Sequence, residues 1–185
     1  ESFKKRGVKV LGVDPSDVAK IAIKAGIETI RKYFDEALGK TIAKKYGKAK
    51  IVVALNTFAH VSHLDSVVAG IERLLADDGV FISENHYVLD LIKHLQYDFI
   101  YHEHSRYYSL RSLVALFKKH NMDVFDVERI PTHSGSIRVY AAKSGAYPVS
   151  RRLENALKGE KGFGLDGWST YTAFAKKVAD HRKRF

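Results

Sequence analysis

The chain predicts an α/β fold built on a mostly parallel sheet, with an antiparallel strand pair at one edge. Three observations carry that prediction. Short apolar runs alternate with amphipathic stretches from residue 8 to residue 85, the order of a strand–helix–strand series. Each of those apolar runs closes on a polar residue: Asp14, Asn56 or Glu84. Late in the chain two apolar runs follow one another across the short turn PTHS, which suits antiparallel pairing.

The elements follow in order. VKVLGVD (8–14) reads as a buried strand, with Val8, Val10, Leu11 and Val13 apolar. Pro15-Ser16 opens a helix over 16–26, with Ser16 as N-cap and Gly26 as its stop. Residues 35–48 form a second helix, bent near Gly39, and AKIVVALN (49–56) a second buried strand. Val67, Val68, Ile71, Leu74 and Leu75 fall at helical spacing within 64–79, and VFISEN (80–85) is the third strand. SLRSLVALFKKHN (109–121) is an amphipathic helix, followed by strands over 122–130 and 135–143. Glycines and turn formers make 144–168 read as a linker, before a basic helical segment that runs to the C-terminus.

Composition narrows the function. The chain has 185 residues, 45% of them hydrophobic and 28% charged, as in a globular domain. No apolar run approaches the ~20 residues that span a bilayer, so no membrane is expected. With no cysteine there is no disulfide, thiolate metal site or cysteine nucleophile, and the expected compartment is the cytoplasm. A net charge of +10 favours anionic partners such as nucleotides and phosphorylated small molecules. Basic segments at 151–161 and 176–185 carry no nucleic-acid motif, so nucleic acid is a rival rather than the expected partner.

Chemistry concentrates in YDFIYHEH (97–104). Three readings compete. In an extended segment His102 and His104 share one face and, with His60 and His63, offer metal ligands; but the pattern is not HExxH, and no metal is expected. A hydrogen-bonded structural loop is the plain alternative. Acid–base chemistry is the third: histidine titrates near neutrality, a carboxylate steadies its charged form, and a tyrosine supports a developing oxyanion. Open parallel sheets bind ligands at the carboxyl ends of their strands, where Asp14, Asn56 and Glu84 stand. Asp14 there is either a ribose acceptor or a helix cap. There is no G-x-S-x-G elbow and no Walker A loop.

GVDPS (12–16), ALNTFAHVSHLDS (54–66), LLADDGVFISENHYVLDLI (74–92), YDFIYHEHSRYYSL (97–110) and HSGSIRVY (133–140) occur in one order. Together they resemble the S-adenosylmethionine-dependent sugar C-methyltransferases, which methylate C3 of a nucleotide-linked 4-keto deoxysugar. The resemblance implies a class I methyltransferase (Rossmann-like) core over 1–145. It also implies roles by position. Asp14 holds the cofactor ribose, Ala54 and Asn56 line the methionine end, and His133 and Ser134 approach the sugar. His104 is the base, with Tyr101, Glu103 and His60 as its helpers.

The resemblance implies departures too. His133-Ser134-Gly135-Ser136 stands where the family has HGGS. No cysteine-bound zinc domain is expected, and residues 146–185 read as a linker and helix leading toward an absent C-terminal domain. The glycine-rich first strand and turn of the cofactor site are expected to lie before residue 1. That strand belongs mid-sheet, between 8–14 and 51–56, so two unsatisfied strand edges and an apolar slot are expected, with a homodimer through those edges. The rival readings are a non-catalytic nucleotide- or partner-binding remnant and a basic nucleic-acid-binding module.

Overall fold

The computed structural model describes residues 2–184. After a short helix α1 (Ser2–Lys5), the chain runs through β1 (Leu11–Val13), α2 (Val18–Lys24), β2 (Glu28–Ile30), α3 (Glu36–Tyr46), β3 (Ala49–Leu55) and α4 (Leu64–Leu74). It continues with β4 (Leu75–His86), α5 (Val88–Lys93), α6 (Leu110–Lys119), β5 (Met122–Ile130), β6 (Ser136–Lys143), α7 (Arg151–Phe163) and α8 (Trp168–Arg182). Strands β1 and β2 form a parallel pair of their own. The second sheet has the order β3-β4-β6-β5, parallel between β3 and β4 and antiparallel across β4, β6 and β5. The expected α/β architecture with its antiparallel edge is therefore present.

The two sheets share no strand ladder, and this settles where the apolar side chains end up. Among the described residues β3 pairs only with β4. Ile51, Val53 and Leu55 are 50%, 41% and 49% exposed, although the run reads as a buried strand. Strand β1 is likewise shorter than 8–14 and only half-buried, with Val8 at 49% exposure. Apolar strands with one free edge leave surface that a neighbouring strand normally covers.

The core lies elsewhere. Phe58, Phe81 and Phe117 pack ring against ring at 5.6 to 6.2 Å, among Val68, Ile71, Leu113, Val127 and Val139. Helices start where capping side chains stand. Asp35 accepts from Leu38 N at 2.7 Å, Ser109 from Ser112 N at 3.1 Å, and Ser150 from Leu153 N at 3.2 Å.

Four readings need correction. The helix expected to bend at Gly39 is continuous; a Cβ there would collide with the Gly70 carbonyl oxygen, so the glycine permits close α3–α4 packing. The helix expected over 64–79 stops at Leu74, because Leu75 pairs with Ala49 and begins β4. Strand β2 and helix α5 were not foreseen. The expected linker contains the 13-residue helix α7. Its Glu160 is buried and accepts from Leu110 N at 2.5 Å and Arg111 N at 3.0 Å, fastening α7 to the start of α6.

Candidate active site

A cleft of about 150 Å³ opens at the carboxyl ends of β3 and β4. Two loops build its walls. One is the 3-10 turn Phe58–His60; the other is the segment Tyr101–Tyr108. The second loop is bolted to the first, residue after residue. The Glu103 carbonyl pairs with His60 Nδ1 at 3.0 Å. Ser105 donates to the Ala59 carbonyl through N at 3.0 Å and Oγ at 2.9 Å. Arg106 donates to the carbonyls of Val61 and Ser62. The buried Tyr108 hydroxyl donates to the Phe58 carbonyl at 2.9 Å. Each such bond saturates a backbone carbonyl in a segment with no ladder to use it.

This lacing brings three predicted residues together. Tyr101 Oη lies 2.9 Å from His104 Nε2, and the rings of His60 and His104 meet edge-on at 4.9 Å. Burial and the neighbouring His60 hold the His104 imidazole below the usual histidine range, against upward pulls from the Phe99 carbonyl and Glu103. A neutral, half-buried imidazole at pH 7 is ready to accept a proton.

The other predicted residues divide. Asn56 lines the cleft from the end of β3, in the left-handed conformation (φ 52°) that asparagine adopts more readily than most residues. His133 lines it from the loop before β6. Ser134 turns toward an adjoining recess that holds Asp90 and Arg129. Glu103 is exposed and does not line the cleft; its backbone carbonyl, rather than its carboxylate, makes the local contact. Ala54 is the next-to-last residue of β3, opposite Ser83, and lies outside the cleft lining. Asp14 stands on the other sheet, just after β1. Its Oδ1 accepts from Ser16 N at 2.8 Å and Ser16 Oγ at 2.6 Å, and those bonds hold its carboxyl below the usual range. Ser16 is thus bonded to the acid and also accepts from Val18 N through Oγ at 3.2 Å at the start of α2, whose N-cap position is held by Asp17.

The sequence reading missed Asn85, His86, Phe99, Arg106, Tyr107 and Tyr108, all of which line the cleft. ENHY at the end of β4 was the signal for the first two, since the parallel strands β3 and β4 end on the same side of the sheet. Among the described residues no three His, Cys, Asp or Glu side chains converge as a metal site requires. No helix among them is long and apolar enough to cross a membrane.

Strand order and cleft position define the protein class, and comparison with known proteins agrees. A family model for a methyltransferase domain matches residues 1–127, and one for a C-methyltransferase C-terminal domain matches residues 131–185. The chain belongs to the S-adenosylmethionine-dependent methyltransferases. The C-methyltransferase NovU of Streptomyces niveus is 38% identical over 177 residues, 95% of this chain and 42% of that protein. The chain thus spans less than half the length of this curated relative. Among solved structures, a SAM-dependent methyltransferase from Anabaena variabilis superposes with a TM-score of 0.56 at 12% identity, covering 76% of this chain and 71% of that one. Magnesium protoporphyrin IX methyltransferase from Synechocystis, solved with bound SAH, gives 0.55 at 13% identity over 77% and 67%. These likenesses bear on the fold. The C-terminal match covers the segment read as a linker, which holds α7.

Proposed function

We propose that the cleft methylates C3 of a 4-keto deoxysugar carried on a nucleoside diphosphate. The observation that carries the reading is the Tyr101–His104–His60 cluster, with His104 held neutral in a cleft at the strand ends. A carbon next to a carbonyl is made acidic because its electrons delocalise onto oxygen. His104 Nε2 takes that proton, and Tyr101, bonded to the same nitrogen, moves onto the developing enolate oxygen. His60 holds its orientation through the Glu103 carbonyl and faces the substrate. Catalysis is mainly orientation and enolate stabilisation.

The residues present suit S-adenosylmethionine. Asp14 stays anionic at a strand's carboxyl end, as a ribose acceptor must. Asn56 offers an amide at the cleft rim. When bound, the cofactor supplies an electrophilic methyl group. One observation favours a second reading. The free edges of β1 and β3 suit a chain that binds nucleotide or a second copy without turnover.

The test is hydrogen exchange. A thymidine-diphosphate-linked 4-keto-6-deoxyhexose is incubated with the chain and S-adenosylhomocysteine in D2O. Deuterium is expected at C3, and His104→Gln is expected to slow its entry about 100-fold or more. Exchange unaffected by His104→Gln contradicts the role given to His104; binding without exchange favours the second reading.

A further inference from the structure

His86 stands apart from the three histidines used so far. It ends β4, lines the same cleft, and packs its ring on Phe99 at 4.6 Å. Both its ring nitrogens are buried without a hydrogen-bond partner. Only one other buried side-chain atom among the described residues shares that condition, and it is Gln96 Oε1. Orphaned buried polar atoms are rare because each costs the desolvation of a hydrogen-bonding group.

The two orphans explain each other. Gln96 Nε2 donates to the Ser134 carbonyl at 2.9 Å. That carbonyl can only accept, so the amide's orientation is fixed and its oxygen is left over. Gln96 flanks the imidazole closely enough to pull its basicity upward, though not yet in hydrogen-bond geometry. Burial pushes harder the other way and keeps the ring below the usual histidine range. A neutral imidazole has one N–H and one lone pair. A small rotation gives the N–H to Gln96 Oε1 and leaves the lone pair for the cleft.

We infer that His86 is a substrate-recognition residue, set in one tautomer by Gln96, whose free ring nitrogen accepts a hydrogen bond from a sugar hydroxyl. The assignment rests on the sugar-nucleotide reading above. It adds a specificity element, because a site built around an acceptor disfavours a sugar lacking the matching hydroxyl. It also gives the Ser134 loop a chemical role, since its carbonyl orients Gln96 and through Gln96 the ring.

Imidazole 15N spectra of the labelled chain test this without turnover. At pH 7 His86 is expected as one neutral tautomer, and Gln96→Leu is expected to mix the two. Saturating thymidine-diphosphate-linked 4-keto-6-deoxyhexose is expected to move the resonance of its bare nitrogen. His86→Phe, which keeps the packing on Phe99, is expected to weaken that sugar's binding about tenfold and leave S-adenosylhomocysteine binding unchanged. A shift at His104 with none at His86, or sugar binding within about threefold in His86→Phe, overturns the inference and leaves the sugar reading standing. No shift at either histidine overturns both.

Discussion

Replacing Gly135 with alanine tests how the loop before β6 is built. Gly135 has φ 134° and ψ 106°, a region that L-residues rarely adopt. Forcing a side chain there costs about 1–3 kcal/mol. The new Cβ would also stand 2.6 Å from Asp90 Oδ2, 2.7 Å from Asp90 Cβ and 2.9 Å from its Cγ. Ordinary contact needs about 3.5 Å. Asp90 has little freedom to yield, because its side chain is 4% exposed and ion-paired with Arg129. Detaching a buried carboxylate from its partner costs about 3–5 kcal/mol, and a partial shift costs part of that. The expected destabilisation is about 3–5 kcal/mol, a fall of about 6–20 °C in melting temperature for a chain of this size. Thermal unfolding followed by circular dichroism measures it. Ser134→Gly is the control with the opposite sign. Ser134 has φ 60°, and relief of that left-handed strain is expected to gain about 0.5–1 kcal/mol. A Gly135→Ala chain melting within about 2 °C of the parent would refute the steric argument.

Other expectations follow from single contacts. Glu160→Ala removes the acceptor for Leu110 N and Arg111 N and is expected to cost about 2–4 kcal/mol in urea unfolding; a cost under about 1 kcal/mol would show that α7 docks without it. His86 and His104 both titrate below the usual range in the folded chain. As pH falls from 7 to 5 the unfolded chain therefore binds protons first and stability drops, levelling off below the folded pKa values. His86→Phe is expected to flatten that drop, and an unchanged slope in urea midpoints would contradict it. The exposed edge of β3 is expected to drive self-association in sedimentation runs, and Val53→Lys to return the chain to monomer; an equally associated variant moves the contact elsewhere.

The sheet was legible where strand pairing matched local pattern. VFISEN and SIRVY are flanked by partners, and Phe81, Ile137 and Val139 are buried as expected, although the polar Ser83, Glu84, Asn85 and Ser136 are buried with them. Val8 and Ile51 were misread because an apolar residue shows that it can be buried, not that a neighbour is there to bury it. α7 was missed because its glycines at 159 and 162 and its charges hide a helix that rests on few apolar anchors, Leu153 among them. In the cleft, His104, Tyr101 and His60 were singled out because their chemistry is conspicuous in sequence, and the fold brings them together. His86 and Gln96 were not, since their meaning lies in what each leaves unbonded. Glu103 carries two contacts that the sequence does not separate, a backbone carbonyl paired with His60 Nδ1 and a charge that raises the basicity of His104.

The central claim is that these residues form a cofactor-binding methyltransferase site. Calorimetric titration with S-adenosylhomocysteine tests it most directly, beside Asp14→Ala checked for folding by circular dichroism. The account predicts a dissociation constant on the order of micromolar, weakened about tenfold or more by Asp14→Ala. No heat of binding up to about millimolar ligand, or binding indifferent to Asp14, would contradict it.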